Sequence, residues 1–344
     1  MFRTLIVGLG RAGAGLHLPV LLRLRREPGR LFADAPLLGV DPGAAALPES
    51  PELRLLPSLA AARRQLDPDR TVVHICTPPL RRTELISEVA ELGFRRLIVE
   101  KPLAAGPEDL AALDELVRRA RLEVLVVAPW LASGLTDRLA TLVGTGDLGE
   151  LRRITVRQHK PRFRRSLADR GHPTAFDVEM PHALGVALRL AGDGEVVQAD
   201  WRDLRVAGQV RPALGSARLV LAHHAGARTE IVSDLASPVR ERRITLRFAR
   251  ATATGHFAAG ADDEYAQLRI GGRRVSSHDV FPDDALSSYL RRAYARFLAG
   301  PVPPRVEFDT QLRVVRLLSD AKRLSGADLI IGSADTEREL SYVH

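Results

Sequence analysis

The stretch IVEKPLA, residues 98–104, carries Lys101 in a chain whose 50 lysines and arginines include only two other lysines, Lys160 and Lys322. An arginine keeps its proton inside proteins, whereas a lysine amine releases one when burial or nearby positive charge disfavours the ammonium. Lysine at this point is therefore a group able to pass a proton. Glu100 precedes it and Pro102 follows it. A residue before proline avoids helical backbone, so Lys101 is expected extended at a strand end, with its side chain aimed outward. The plainer use of the same residues is an ion pair between Lys101 and Glu100, and the two alone do not choose between these roles.

A second group of residues suits a dinucleotide. GLGRAG, residues 8–13, follows an apolar run directly and precedes LHLPVLLRLRR. In that context Gly8 permits a tight turn, Gly10 lets the backbone approach a pyrophosphate, and Gly13 lets a helix pack close to the strand, with Arg11 and Ala12 completing the loop. The helix start adds free N–H groups and a partial positive charge. Asp41 closes the second apolar run, where a carboxylate accepts from the adenosine ribose hydroxyls. Pro42 and Gly43 come next, with no arginine placed for a 2′-phosphate, so NAD is favoured. Arg11 keeps NADP open. The alternatives are a plain glycine turn and a turn-forming Asp-Pro-Gly.

Further along, RQHKPRFRRS at 157–166 concentrates Lys160, Arg162, Arg164 and Arg165. Such a set can clamp a carboxylate or phosphate of a substrate, or it can be a solvated arm. His172 and Thr174 stand just before a helical run, placed to touch substrate or to cap that helix. The other histidines, His17, His74 and the pair His223–His224, lack the spacing of a metal site, and no metal is expected. Cys76, the only cysteine, has no basic neighbour in sequence and is expected to pack.

The elements that must position these groups are legible in outline. Runs at 4–8, 36–40, 71–76, 96–100 and 123–127 are short, rich in Val, Leu and Ile, and without clean alternation, as buried parallel strands are. Between them lie helical patterns. In TELISEVAELG the residues Leu85, Ile86, Val89 and Ala90 share a face, and Gly93 stops the helix. Lys101 thus ends the fourth strand, on the edge where doubly wound sheets bind ligands.

After Pro129 the pattern changes. A helix ended by Gly144 and Gly146 leads into a strand at 151–160. Ile244, Leu246 and Phe248 alternate with Arg243, Thr245 and Arg247, as in a sheet buried on one face. Further strands are expected at 196–206, 217–223, 228–233 and 264–270, and helices at 284–299 and 309–324. The expected architecture is α/β. It has an N-terminal doubly wound parallel sheet of Rossmann type over 1–128 and a C-terminal α+β domain on an open, mainly antiparallel sheet over 129–344, with a ligand cleft between them.

Bulk properties agree with a folded enzyme-sized chain. There are 344 residues, 45% hydrophobic and 27% charged. The N-terminus shows no secretory pattern and the longest apolar stretch, 124–135, is too short for a bilayer and contains Pro129 and Gly134. A cytoplasmic location and no membrane partner are expected. The net charge of +8 would suit nucleic acid, but the arginines are spread along the chain rather than gathered in an arm, so no nucleic-acid partner is expected.

In order, GLGRAG, CTPPL, VEKPL, the GTGDLGEL junction and a histidine-bearing helix near 182 resemble the glucose-fructose oxidoreductase / inositol 2-dehydrogenase / rhizopine-catabolism (Gfo/Idh/MocA) family. The resemblance implies NAD(P) bound across the glycine loop and lined by Thr77 and Pro78. It implies hydride transfer at a carbon bearing a hydroxyl, carbonyl or amine of a sugar, polyol or related small metabolite. Lys101 then lies between nicotinamide and substrate, with His182 as its acid/base companion. Members often pair through the outer face of the open sheet, which implies a homodimer or homotetramer.

FDVEMPHALGVALRL departs from the family's Asp-x-Gly-x-His-x-x-Asp element: Val178 and Gly185 stand where acids are expected. Glu179 can substitute if it shares a helix face with His182; if Pro181 begins the helix, that pairing lapses. Arg82 replaces a frequent histidine, and Pro129–Trp130 an Asn-aromatic pair, both on the expected substrate side. The missing acids leave a second function open, a catalytically reduced relative that holds dinucleotide as a structural or sensing ligand.

Overall fold

Apolar runs with no polar alternate must be covered on both faces, and they become the strands of a six-stranded parallel sheet. Its strands are β1 (Arg3–Val7), β2 (Leu37–Val40), β3 (Leu53–Leu56), β4 (Thr71–Ile75), β5 (Arg96–Val99) and β6 (Glu123–Val126). They pair in the order β3-β2-β1-β4-β5-β6, every neighbour parallel. This order reverses between β1 and β4, which opens a crevice at the carboxyl ends of those two strands. The computed structural model describes residues 1–27, 31–43, 50–79, 81–104, 106–168, 172–260, 263–273, 275–300 and 306–329. Leu80 of CTPPL lies outside them.

Helices α1 (Leu18–Arg26), α2 (Leu59–Arg63), α3 (Arg82–Glu91) and α4 (Pro107–Arg119) connect the strands. Side chains alternate between the faces of a strand. Leu5, Val7, Val73, Ile75, Leu97 and Val99 therefore join one cluster with Ile86, Val89 and Ala90 of α3 and Leu110 and Leu113 of α4, and Leu85 packs against it. Gly93, at φ +94°, ends the α3 segment as expected of a glycine there. Thr4, Ile6 and His74 take the opposite face, Ile6 and His74 as register partners.

The second sheet has eight strands: β7 (Leu151–His159), β8 (Gly194–Val206), β9 (Gln209–His223), β10 (Arg228–Asp234), β11 (Glu241–Phe248), β12 (Ala251–His256), β13 (Tyr265–Gly272) and β14 (Ser276–Pro282). Their order is β14-β13-β12-β11-β7-β10-β9-β8. Only β7 and β10 pair in parallel. Ile244, Leu246 and Phe248 are buried, as their alternation requires. Helix α5 (Gly134–Thr145) precedes β7, and α6 (Phe163–Ala168), α7 (Ala175–Val178) and α8 (Met180–Ala191) lie between β7 and β8. Helix α8 packs on β7 and β10, and α5 on β12 and β13. Helix α5 runs through Gly144 and is capped by Gly146 at φ +69°.

Two helices end the described chain, α9 (Ala285–Leu298) and α10 (Val306–Leu324). The chain forms two compact units, Met1–Pro129 with Leu286–Val315, and Trp130–Ala285 with the chain from Arg316. A single boundary at 128/129 was the linear expectation; the structure groups 286–315 with the first unit. The reason is the apolar face of α9. Tyr289, Leu290, Ala293, Tyr294 and Phe297 are all buried, and Tyr289 donates its hydroxyl to the Val126 carbonyl at 2.8 Å.

Candidate active site

The parallel ladder continues one residue past several strands. Gly8 N–H bonds the Val40 carbonyl, Cys76 N–H that of Val7, Glu100 N–H that of Ile75, and Val127 N–H that of Val99, all at 2.8–2.9 Å. This sets Gly8, Cys76 and Glu100 side by side along the carboxyl edge, with the glycine loop, Thr77 and Lys101 immediately beyond.

The three loop glycines have different reasons. Gly8 holds φ +88°, and a Cβ there would stand 3.0 Å from the Thr77 amide nitrogen; at Gly13 it would meet the Gly8 carbonyl oxygen at 2.0 Å. A Cβ at Gly10 would meet nothing within 4 Å, so that side of the backbone faces open space. The helix begins with a π-helical turn, Gly13–His17, and its first bond is Ala14 N–H to the Gly10 carbonyl at 2.9 Å. Amides ahead of that bond have no acceptor within the helix and point at the loop. Arg11 is exposed, Ala12 half-buried.

Asp41 accepts from Leu9 N–H at 2.6 Å through Oδ2 and from Gly43 N–H at 2.7 Å through Oδ1. Its carboxylate thus ties the end of β2 to the glycine loop, and each oxygen keeps a lone pair for a further donor. The turn-forming use and the ligand-facing use of Asp41 are both available to the same side chain. The Thr77 hydroxyl is buried with no hydrogen-bond partner among the described residues, while Pro78 is exposed. An open Gly10 cradle, an orphaned Thr77 hydroxyl and an acceptor at Asp41 fit a dinucleotide laid across this edge.

Glu100 and Lys101 are half-buried, and the Lys101–Pro102 peptide is cis. Glu100 Oε2 accepts from the Lys101 amide at 3.2 Å, and its Oε1 meets His17 Nε2 at 3.0 Å. Burial pushes the Glu100 carboxyl up, but the hydrogen bond from His17, with the positive charges of Lys101 and Arg82 beside it, holds the group below its ordinary range.

Arg82 requires a correction. Sequence reasoning put it toward the substrate; the structure buries it, with its guanidinium donating to the carbonyls of Glu100 at 2.7 Å, of Pro102 and of Thr77. Three converging carbonyl oxygens are the natural seat for a fork of N–H donors. Burial lowers its pKa to about 10, opposed by Glu100 and Cys76. The residue staples the loop after β4 to the loop after β5, a role that no local sequence signal reveals. Cys76 is buried, and its thiol is pushed well up by burial and then by Glu100, with Arg82 opposing.

In the second unit, Glu179 lies outside α8 as its N-cap, with Pro181 in the first turn, so the shared helix face with His182 lapses. The Glu179 carboxylate instead pairs with the Lys160 ammonium and accepts from Gln158 Nε2 at 3.1 Å. Asp177 accepts from Thr174 Oγ1 at 2.6 Å and from Lys322 Nζ at 2.9 Å. Two of the chain's three lysines thus neutralise the two acids nearest His182 in sequence. The His182 ring stacks with Trp130 at 6.0 Å between centroids, and Trp130 stacks on Phe257 at 3.9 Å. Arg162 is buried, its Nη1 at 3.2 Å from Ser166 Oγ, while Arg164 and Arg165 are exposed and His172 is half-buried.

A glycine cradle on the carboxyl edge of a β3-β2-β1-β4-β5-β6 sheet defines a dinucleotide-binding Rossmann domain. Residues 2–128 match the family model of the Gfo/Idh/MocA oxidoreductases, NAD-binding Rossmann fold. No curated protein matches the sequence. Among solved structures, KijD10, a 3-ketoreductase from Actinomadura kijaniata in complex with NADP and TDP-benzene, is similar at TM-score 0.76 and 17% identity, over 94% of this chain and 98% of its own. The UDP-N-acetylglucosamine 3-dehydrogenase GnnA from Acidithiobacillus ferrooxidans is similar at TM-score 0.73 and 18% identity, over 94% and 98%. At such identities the likeness is one of fold. Among the described residues no helix is long and apolar enough to cross a membrane, and no group of three or more His, Cys, Asp or Glu side chains could hold a metal ion.

Proposed function

We propose that the chain transfers a hydride between NAD and a hydroxyl- or carbonyl-bearing carbon of a sugar or sugar-like metabolite, with Lys101 as the acid/base. The observation that carries this reading is the position of Lys101, directly after Glu100 on the carboxyl edge that also holds the glycine cradle and the orphaned Thr77 hydroxyl. Gly8, Gly10, Arg11, Ala12, Gly13, Asp41, Thr77 and Pro78 hold the dinucleotide, which supplies or receives the hydride when bound. In oxidation the Lys101 amine takes the hydroxyl proton as the carbon loses its hydride; in reduction the ammonium returns that proton to the carbonyl oxygen. His182, held by its stack on Trp130, is the companion that relays the proton, with Lys160, Arg162, His172 and Glu179 on the substrate side. The Lys160–Glu179 pair suits hydroxyl groups, since it offers a donor and an acceptor together. The names 3-ketoreductase and UDP-N-acetylglucosamine 3-dehydrogenase, borne by two structures of the same fold, favour a sugar and a carbon of that type.

Lys101→Ala tests the reading. NADH binding, read by fluorescence, should stay within about threefold, because the cradle is backbone, whereas hydride exchange with a panel of free and nucleotide-linked sugars should fall by about a hundredfold to ten-thousandfold. Lys101→Arg keeps the charge but cannot release the proton, and should be equally inactive. Full turnover in either variant rejects the assignment.

A second reading, a relative that binds dinucleotide without turning over, is favoured by the engagement of Asp177 and Glu179 with lysines. Under it the unaltered protein binds NADH and leaves the NADH absorbance unchanged with every sugar of the panel.

A further inference from the structure

Behind Glu100, on the face of the first sheet that carries Thr4 and His74, four buried side chains touch in sequence. Thr4 Oγ1 lies 2.6 Å from Tyr294 Oη, Tyr294 Oη 2.9 Å from His74 Nε2, His74 Nδ1 2.7 Å from His17 Nδ1, and His17 Nε2 3.0 Å from Glu100 Oε1. His17, His74 and Tyr294 are each 0% exposed and Thr4 is 2% exposed. They come from β1, the turn before α1, β4 and α9, so four separate elements supply one continuous line.

The direction of the protons follows from counting donors. The Tyr294 oxygen is the only partner of the Thr4 hydroxyl among the described residues. If Tyr294 donated to Thr4, the Thr4 proton would be buried without an acceptor, an outcome that native interiors avoid. Thr4 therefore donates to Tyr294, Tyr294 to His74 Nε2, His74 Nδ1–H to His17 Nδ1, and His17 Nε2–H to Glu100. Every donor is then used, and the last acceptor is a carboxylate, which accepts only.

We propose that this line of donors keeps Glu100 anionic beside Lys101, and that His17 and His74 are positioning residues that set the proton affinity of the lysine. The proposal rests on the reading of Lys101 as the acid/base. Among the described residues, Arg82 of α3, Cys76 after β4 and Tyr289 of α9 are further charged or titratable groups around Glu100, each of which feels its charge or acts on it. His74 faces His17 and Tyr294, and burial holds it well below its ordinary range, so it serves as a neutral link. Without the His17 donor, burial acts on Glu100 less opposed and the carboxyl takes up a proton. Lys101 then loses its counter-charge and releases its own proton at lower pH.

The scarcity of lysine makes this measurable without a substrate. Carbon-13 dimethylation marks Lys101, Lys160, Lys322 and the amino terminus, and each signal titrates separately by NMR. In His17→Leu the Lys101 midpoint should fall by about one pH unit. His17→Gln, which restores an N–H donor near the same place, should bring it back toward the parent value. An unmoved Lys101 midpoint in a folded His17→Leu protein overturns the proposal. Ring nitrogen-15 spectra of the unaltered protein decide the case if that variant does not fold. His17 should be the neutral Nε2–H tautomer and His74 the Nδ1–H tautomer through neutral pH; a His17 imidazolium, or His74 protonated on Nε2, overturns the donor line. Turnover in Lys101→Ala would sink the acid/base reading and leave both titrations standing. Failed titrations beside an inactive Lys101→Ala would sink the donor line alone.

Discussion

Asp41 shows how one carboxylate can serve both loop and ligand. Its oxygens take the N–H groups of Leu9 and Gly43, which anchors the glycine loop, and under the proposed function the charge they keep would face the adenosine ribose. A 2′-phosphate near that charge is repelled, whereas 2′- and 3′-hydroxyls find an acceptor. Asp41→Ser should weaken NADH binding and move the NADPH-to-NADH preference toward NADPH by about tenfold, the scale of one partly screened charge contact. Fluorescence titration with both cofactors checks this, and an unchanged ratio means that the carboxylate does not reach the ribose. That the relative KijD10 is seen with NADP makes the choice at this position informative, since the two folds agree and the ribose-end residues of each chain must decide.

At the scale of elements, the decisive piece is a loop pair. The segments after β4 and β5 carry Thr77 and Lys101, and neither segment is held by ladder bonds beyond its first residue. Arg82 supplies the missing restraint by binding the Thr77, Glu100 and Pro102 carbonyls together. Arg82→Met should leave three buried carbonyls without their donor and lower stability by about 2–4 kcal/mol. NADH affinity should fall with it because the Thr77 and Lys101 segments loosen; Arg82→Lys should recover only part of either. Urea unfolding with and without NADH separates the two effects, and unchanged affinity in a destabilised protein would confine Arg82 to stability. The strands around these loops were readable because a doubly covered sheet demands uninterrupted apolar runs, and five of the six showed them. β3 escaped notice because only Leu53 and Leu56 of LRLL are buried, as on a sheet edge. β12 escaped because its buried positions are Ala251, Ala253 and Gly255: at Gly255 a Cβ would stand 2.8 Å from the Leu135 side chain of α5, so close helix packing demands small residues there. β14 carries one buried residue, Phe281, after an exposed run, Ser276 to Val280, that shows no alternation. The types of residue that do chemistry were visible, but His17 beside Glu100, Lys160 beside Glu179 and the carbonyls of Glu100 and Pro102 on Arg82 are not sequence neighbours, and periodicity says nothing about them.

For the whole molecule, the order of segments along the chain is not the order in which they complete the cofactor-binding unit. An amphipathic pattern identifies α9 as a helix with a buried face without naming the surface that buries it. Here Leu286–Val315 joins the unit formed by Met1–Pro129, and Tyr294 fills a site lined by Phe2, Phe32 and His74. Tyr289 adds its bond to the Val126 carbonyl. A fragment ending at Pro129 would keep the glycine loop, Asp41, Thr77 and Lys101, yet expose the sheet face that α9 covers and leave His74 without its hydroxyl partner. Losing the burial of Leu290 and Phe297 costs roughly 1.5–3 kcal/mol each, and Tyr289, Ala293 and Tyr294 add to it, a sum that is a large part of the stability of an ordinary domain. Residues 1–129 alone should therefore melt without a cooperative transition and bind NADH at least about tenfold more weakly than the full chain, a loss of 1.4 kcal/mol or more. Joining 285–315 to that fragment through a flexible linker should restore both properties, because Tyr289, Tyr294 and the other buried residues of α9 lie in the added segment. Calorimetry and NADH fluorescence on the two fragments decide it: a cooperative melt and full affinity in 1–129 would show that the returning helix is an ornament on a unit already complete.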